Sequence, residues 1–214
     1  MSVVVLQQQA AMDTVPAVVE AVDISNWTGR LSGATLGAWR QAGVRLVVRL
    51  SLESTLHRAI ALQQLRAASE AGFAVAGYGW CYWQTDPTSN ADSWCDLAHA
   101  SATPLRMIWL DAEDDPAGAD VVGWLRRAAQ RIEARGYRAG VYARQSWWWM
   151  VTGDSQALSD LPLWAVQWDG RATLDDVRPF GGWSAERIVG KQYAGDVRLG
   201  GVAVDRNVFR SGSW

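Results

Sequence analysis

The sequence predicts a single α/β domain, an irregular TIM-like (β/α) barrel whose helices are thin or missing in the final third. Three observations predict it. Strand-like apolar runs alternate with helical periodicity, the pattern of parallel strands joined by right-handed crossovers. Eight strand candidates can be read along the chain, enough to close a barrel. The 214 residues, 49% of them hydrophobic, suit one domain with an ample core.

Residues 1–19 read as a short extension, and 20–214 as the barrel domain. A first strand is expected at 21–24, followed by a helix at 33–42 that ends near Gly43. The β-branched run 44–48 is a second strand. Residues 56–71 form a helix closed by Gly72, 73–80 a third strand and 92–100 a weaker helix. The run 105–111 has no solvent-facing side, as in a strand buried on both faces. The clearest helix spans 117–135: Val121, Leu125, Ala128 and Ile132 share one face and Gly136 ends it. Asp115-Pro116 fits its start, with Asp as N-cap and Pro at the first helical position. Strands at 137–143 and 163–168 flank a short piece at 147–150. After a long loop, 169–184, two more strands are expected at 188–193 and 202–204.

Several classes are disfavoured. The net charge of −2 offers no basic field for nucleic acid. No apolar run approaches the roughly 18 residues of a membrane helix, so no membrane insertion is expected. Residues 1–20 hold no Lys or Arg, so the basic n-region of a secretory signal is not expected. Cys81 and Cys95 make neither a disulfide framework nor a zinc site, and one bridge between them stays open. With only His57 and His99, a histidine-based metal site or a Ser/His pair is not expected, and no cofactor is implied.

The acids sort by position. Asp23 lies in the first strand, Asp111 and Glu113 end the fourth, and Asp205 ends the last. Asp111 and Glu113 are two apart, so an extended chain points both the same way. In a barrel the first and last strands are neighbours, so the carboxyl ends bring all four acids to one rim. Like charges crowded in a cleft cannot all ionise freely, which raises at least one pKa as a general acid requires. Such a cluster without His or Cys serves glycoside hydrolysis or binds a hard cation. The 14 Trp favour sugar, since their flat faces stack on pyranose rings.

The motifs VDISNWTG (22–29), WLDAEDD (109–115), GVYAR (140–144), LPLWAVQWDG (161–170) and KQYAGDVRLGGVAVDRNVF (191–209) together resemble glycoside hydrolase family 25, the Chalaropsis-type lysozymes of bacteria, fungi and phages. The likeness runs in order over about residues 20–210. It implies an irregular β/α barrel that acts as a peptidoglycan muramidase, a phage or bacterial lysin. Such an enzyme cuts the β-1,4 bond from N-acetylmuramic acid to N-acetylglucosamine. The resemblance casts Glu113 as general acid. Asp111 would stabilise the charged intermediate, helped by the substrate's acetamido group. Asp23 and Asp205 would line the cleft.

Tyr78 resembles the family's third-strand tyrosine, and Gly79 stands where many members carry a histidine. Trp164, Gln167, Gln192 and Tyr193 resemble groove-lining positions, while Asn207 braces the last loop. Trp27 and Trp80 lie near strand ends, within reach of glycan. Arg144, just past the fifth strand, is a candidate for a peptide-stem carboxylate. Residues 147–149 cannot all face inward, so at least one of those Trp is expected on the surface. The implied partner is the peptidoglycan glycan strand, with virion proteins a further one. Action on the cell wall would follow release by host lysis machinery or carriage on a virion. The alternative is a non-catalytic barrel that binds cell wall or builds a virion.

Overall fold

The computed structural model describes residues 18–49 and 55–214. The expected extension lies outside the described residues up to 17, and its last two positions already belong to the first strand. Eight strands close a barrel in chain order. They are β1 (Val18–Asp23), β2 (Val44–Val48), β3 (Ala74–Trp80), β4 (Met107–Asp111), β5 (Arg138–Arg144), β6 (Leu163–Val166), β7 (Ile188–Leu199) and β8 (Val202–Arg210). Five α-helices are described: α1 (Gly33–Gln41), α2 (Thr55–Glu70), α3 (Pro87–Ser101), α4 (Val121–Ala134) and α5 (Gln145–Thr152). A short 3₁₀ turn, Asn26–Thr28, follows β1. The thin final third is observed: no helix is described after α5.

One expectation needs correction. β1 to β7 pair in parallel, but β8 runs antiparallel to both β7 and β1. The cause is local. Gly200 and Gly201 alone join β7 to β8, with φ of 63° and 85°. A two-residue turn with positive φ at both positions makes a hairpin, whereas a parallel crossover needs a dozen or more residues. The carboxyl end of β8 therefore points to the opposite rim. Asp205 still reaches the cleft, because it lies in the first half of β8 and stands directly opposite Asp23.

Two helix starts also move. α4 is capped by Asp120, whose carboxylate accepts the Gly123 N–H at 2.9 Å. Asp115 instead holds the turn before it, accepting from the Ala117 N–H at 2.9 Å. α3 begins earlier than expected, with Asp86 as N-cap and Pro87 at its first position. That is the signal assigned to Asp115-Pro116, and it operates at the preceding helix.

Period-2 alternation splits each strand between two cores. Trp109, Trp164 and Phe209 plug the barrel, their ring centroids 5.4–5.9 Å apart. Gly140 and Gly190 make room for them: a Cβ at either would lie 2.4 Å from Trp109 or Phe209. The interior is thus a packed floor rather than a pore. Outside, Trp83, Trp94, Trp124 and Trp147 form an aromatic seam beneath the helices, with centroid separations of 5.2–6.3 Å. Nine of the fourteen Trp are buried, so most of the unusual Trp content is core. Cys81 and Cys95 are free thiols, both buried. The loop 169–184 is pinned by Lys191, a fully buried ammonium 2.9 Å from Asp169 and 2.7 Å from Asp176.

Candidate active site

The parallel strands open one cleft of about 340 Å³ at their carboxyl rim. Asp23, Asp111, Glu113 and Asp205 all line it. Register explains the convergence. Asp23 ends β1 opposite Asp205, and Asp111 ends β4 between Trp80 of β3 and Tyr142 of β5. Asp111 is 5% exposed and its Oδ1 has no hydrogen-bond partner among the described residues, whereas Glu113, two residues on, is exposed at the cleft wall.

Two amides organise the floor. Gln192 donates to Asp23 at 3.0 Å and to Asp205 at 3.2 Å, while its carbonyl accepts from Tyr142 at 3.1 Å and Trp168 at 2.7 Å. Asn207 donates to Asp23 at 2.7 Å and accepts from the Trp164 indole at 2.9 Å. Trp164 thus orients Asn207, which holds Asp23. Asn207 braces a cleft carboxyl and also its own segment, donating to the Asp205 carbonyl at 3.2 Å.

All four carboxyls are shifted upward, and burial leads at each. Asp23 is pushed up to about 7 by burial and by the charge of Asp205, against the two amide donors. Burial and then the charge of Glu113 push Asp111 well above the usual carboxylate range. Glu113 is raised by partial burial of its carboxyl, with the charge of Arg144 and the nearby Tyr142 hydroxyl pulling the other way. Asp205 is raised by burial, against the 2.7 Å bond it accepts from the Asp196 N–H. The cleft therefore holds protons near neutrality, as acid catalysis requires.

The other expected contacts divide. Trp27, Tyr78, Trp80, Trp164 and Gln192 line the cleft. Trp27 is 89% exposed at its lip, on the 3₁₀ turn that Ser25 caps. Tyr78 is anchored by donating to the Ile24 carbonyl at 3.2 Å. Tyr193 is not in the cleft. Its neighbour Gln192 takes the inner face, so Tyr193 points outward and donates to Glu20 at 2.9 Å. Gln167 lies past the end of β6, donates to Asp169 at 2.8 Å, and lines a neighbouring cavity together with Arg144. Of residues 147–149, Trp147 and Trp148 are buried and Trp149 is 68% exposed.

Position 79 also faces outward. A Cβ there would lie 2.2 Å from the Trp94 ring of α3, so no side chain at this position reaches the cleft. Tyr142 is one of the site residues that sequence reasoning missed, with Ser25, Asn26 and Asp196 among the others. Its signal was present: in β5, Tyr142 shares a face with Arg144, two positions on.

A family model described as glycosyl hydrolases family 25 matches residues 22–202. Among curated proteins, counting factor 50 of Dictyostelium discoideum is 29% identical over 158 residues, covering 69% of this chain and 52% of that protein. A probable GH family 25 lysozyme 4 of the same organism is 35% identical over 106 residues, 48% of this chain and 49% of that protein. The chain thus spans about half the length of these relatives. In fold it is similar to the catalytic domain of endolysin ply40 from bacteriophage P40 of Listeria monocytogenes. There the TM-score is 0.66 at 17% identity, covering 91% of this chain and 94% of that one. The modular autolysin LytC of Streptococcus pneumoniae, solved with a synthetic peptidoglycan ligand, gives 0.66 at 16% identity over 90% of this chain and 46% of that one. With its family model spanning most of the barrel, the chain belongs to the glycosyl hydrolases of family 25.

Proposed function

We propose that this protein is an N-acetylmuramidase that cleaves the β-1,4 bond between N-acetylmuramic acid and N-acetylglucosamine in peptidoglycan. The observation that carries the proposal is the convergence of four carboxyls on one cleft, with the exposed Glu113 beside the buried Asp111. Glu113 donates a proton to the glycosidic oxygen as the bond to the anomeric carbon breaks. The carbonyl oxygen of the substrate's own acetamido group attacks that carbon from the opposite face. Positive charge develops on the ring and the acetamide, and the carboxyl oxygens of Asp111 stabilise it. Water then attacks the anomeric carbon, Glu113 takes a proton from it, and the acetamide is restored with net retention. A cationic transition state flanked by carboxyls gains from such electrostatics.

Asp23 and Asp205, held by Gln192 and Asn207, set the field at the floor and bind sugar hydroxyls. Trp27, Trp80 and Tyr78 offer ring faces and a phenol to the glycan. The same reading puts the site of action at the cell wall, as a lysin delivered by host lysis or by a virion. Mass spectrometry of digested peptidoglycan tests the proposal. New reducing ends at N-acetylmuramic acid support it; reducing ends at N-acetylglucosamine, or no glycan cleavage, overturn it.

A further inference from the structure

A second cavity, of about 190 Å³, opens at the same rim beside the cleft, between the ends of β5 and β6. Its apolar wall is Val166, Val177 and Phe180, and two arginines, Arg144 and Arg178, stand at it. Five other arginines, Arg126, Arg131, Arg135, Arg171 and Arg206, each sit on a carboxylate. Arg144 and Arg178, like several surface arginines, have no carboxylate within 4 Å among the described residues, although the charge of Arg144 is felt at Glu113. Arg144 is nonetheless held in place, its guanidinium 4.7 Å from the centre of the Trp168 ring. Stacking uses the face of a guanidinium and leaves its N–H edge free for a carboxylate.

The cavity is tied to the cleft. The Trp168 indole donates to Gln192, the residue that bridges Asp23 and Asp205 on the cleft floor. One continuous set of contacts therefore runs from the acids through Gln192 and Trp168 to Arg144. α5 also opens here, and no side chain caps its first turn. A ligand that fills the cleft and carries a carboxylate on a short, partly apolar arm can place that group between the arginines.

We infer that this cavity is a subsite for a carboxylate of the peptide stem attached to the muramic sugar, with Arg144 and Arg178 as its recognition groups and Val177 and Phe180 packing the stem's small apolar side chains. The inference rests on the muramidase reading for its choice of ligand. It makes the enzyme selective for glycan that still bears peptide.

The test uses the full chain, two substrates and two variants at one position outside the cleft. The substrates are uncross-linked glycan strands with their stem peptides, and the same strands stripped of peptide by an amidase. New reducing ends are measured for the wild type, Arg178→Ala and Arg178→Lys. The expected result is a KM for the peptide-bearing strand that rises about tenfold in Arg178→Ala, as loss of a charge-assisted contact implies. Arg178→Lys should recover part of that loss, and the KM for stripped strands should not change. Equal KM values for the two substrates in the wild type, or equal losses on both in the variant, overturn the subsite. No cleavage of either strand overturns the muramidase reading instead. In that event the subsite is judged by titrating free stem peptide against Trp fluorescence. Quenching that Arg178→Ala abolishes supports it, and quenching that survives, or none at all, overturns it.

Discussion

Asp23 and Asp205 face one another across the antiparallel β1–β8 pair and share the amide of Gln192, at 3.0 and 3.2 Å. Two carboxyls so placed cannot both ionise cheaply, and Asp23 holds its proton up to about 7. The raised pKa has a consequence for folding. Below the unfolded value both states are protonated; between about 4 and 7 only the folded state keeps the proton. Stability therefore falls as pH rises across that window. Asp23→Asn, which mimics the neutral acid, should flatten the fall. Thermal unfolding from pH 4 to 8 checks this, and a slope as steep as the wild type's would refute it.

Glu113→Gln should leave the fold and melting temperature intact. Loss of a general acid costs on the order of 10²–10⁴ in rate, so glycan cleavage should drop at least that far. Reducing-end release beside a thermal melt is the measurement, and wild-type turnover in this variant would remove Glu113 from its role.

The Tyr142 hydroxyl, whose proton goes to Gln192 at 3.1 Å, lies near enough to Glu113 to hold its carboxyl pKa down. Removing the hydroxyl should raise the acid's pKa further. In the proposed mechanism Glu113 acts as an acid, so activity should be lost as pH rises through that pKa. The alkaline limb of kcat/KM in Tyr142→Phe should move to higher pH, and a shift to lower pH would count against the assignment.

Gly79→Ala tests position 79 directly. Its Cβ would press on Trp94 at 2.2 Å, so α3 must shift. Overpacking of this kind costs about 1–3 kcal/mol. The expected outcome is a lower melting temperature with KM for glycan nearly unchanged. A stability equal to wild type would show that α3 yields freely.

Trp27→Ala removes an exposed ring at the cleft lip that touches no core. Melting should not move. KM for polymeric glycan should rise about tenfold, the scale of a lost stacking contact of about 1.4 kcal/mol. An unchanged KM would mean that glycan passes elsewhere.

Much of this protein was legible in the sequence because its signals are local. The run from Met107 to Asp111 reads as a strand buried on both faces, and all five of its residues are buried. The α4 face of Val121, Leu125, Ala128 and Ile132 is the buried one. The four acids could be named because each follows a short apolar run. What stayed hidden depends on faces and partners. Gln192 and Tyr193 are neighbours with the same motif standing, and only the strand's inward face separates them. The β6–β7 and β7–β8 ladders also carry register shifts, which move that parity without a sequence mark. The Gly200-Gly201 pair is a local hairpin signal that the sequence reading passed over, so the reversed direction of β8 was not expected. Sequence alone thus determined which residues could carry acid chemistry, since composition and periodicity are properties of the chain. Only the tertiary structure decided which of them meet, because a cleft is made by strands distant in sequence whose register and direction are set by packing.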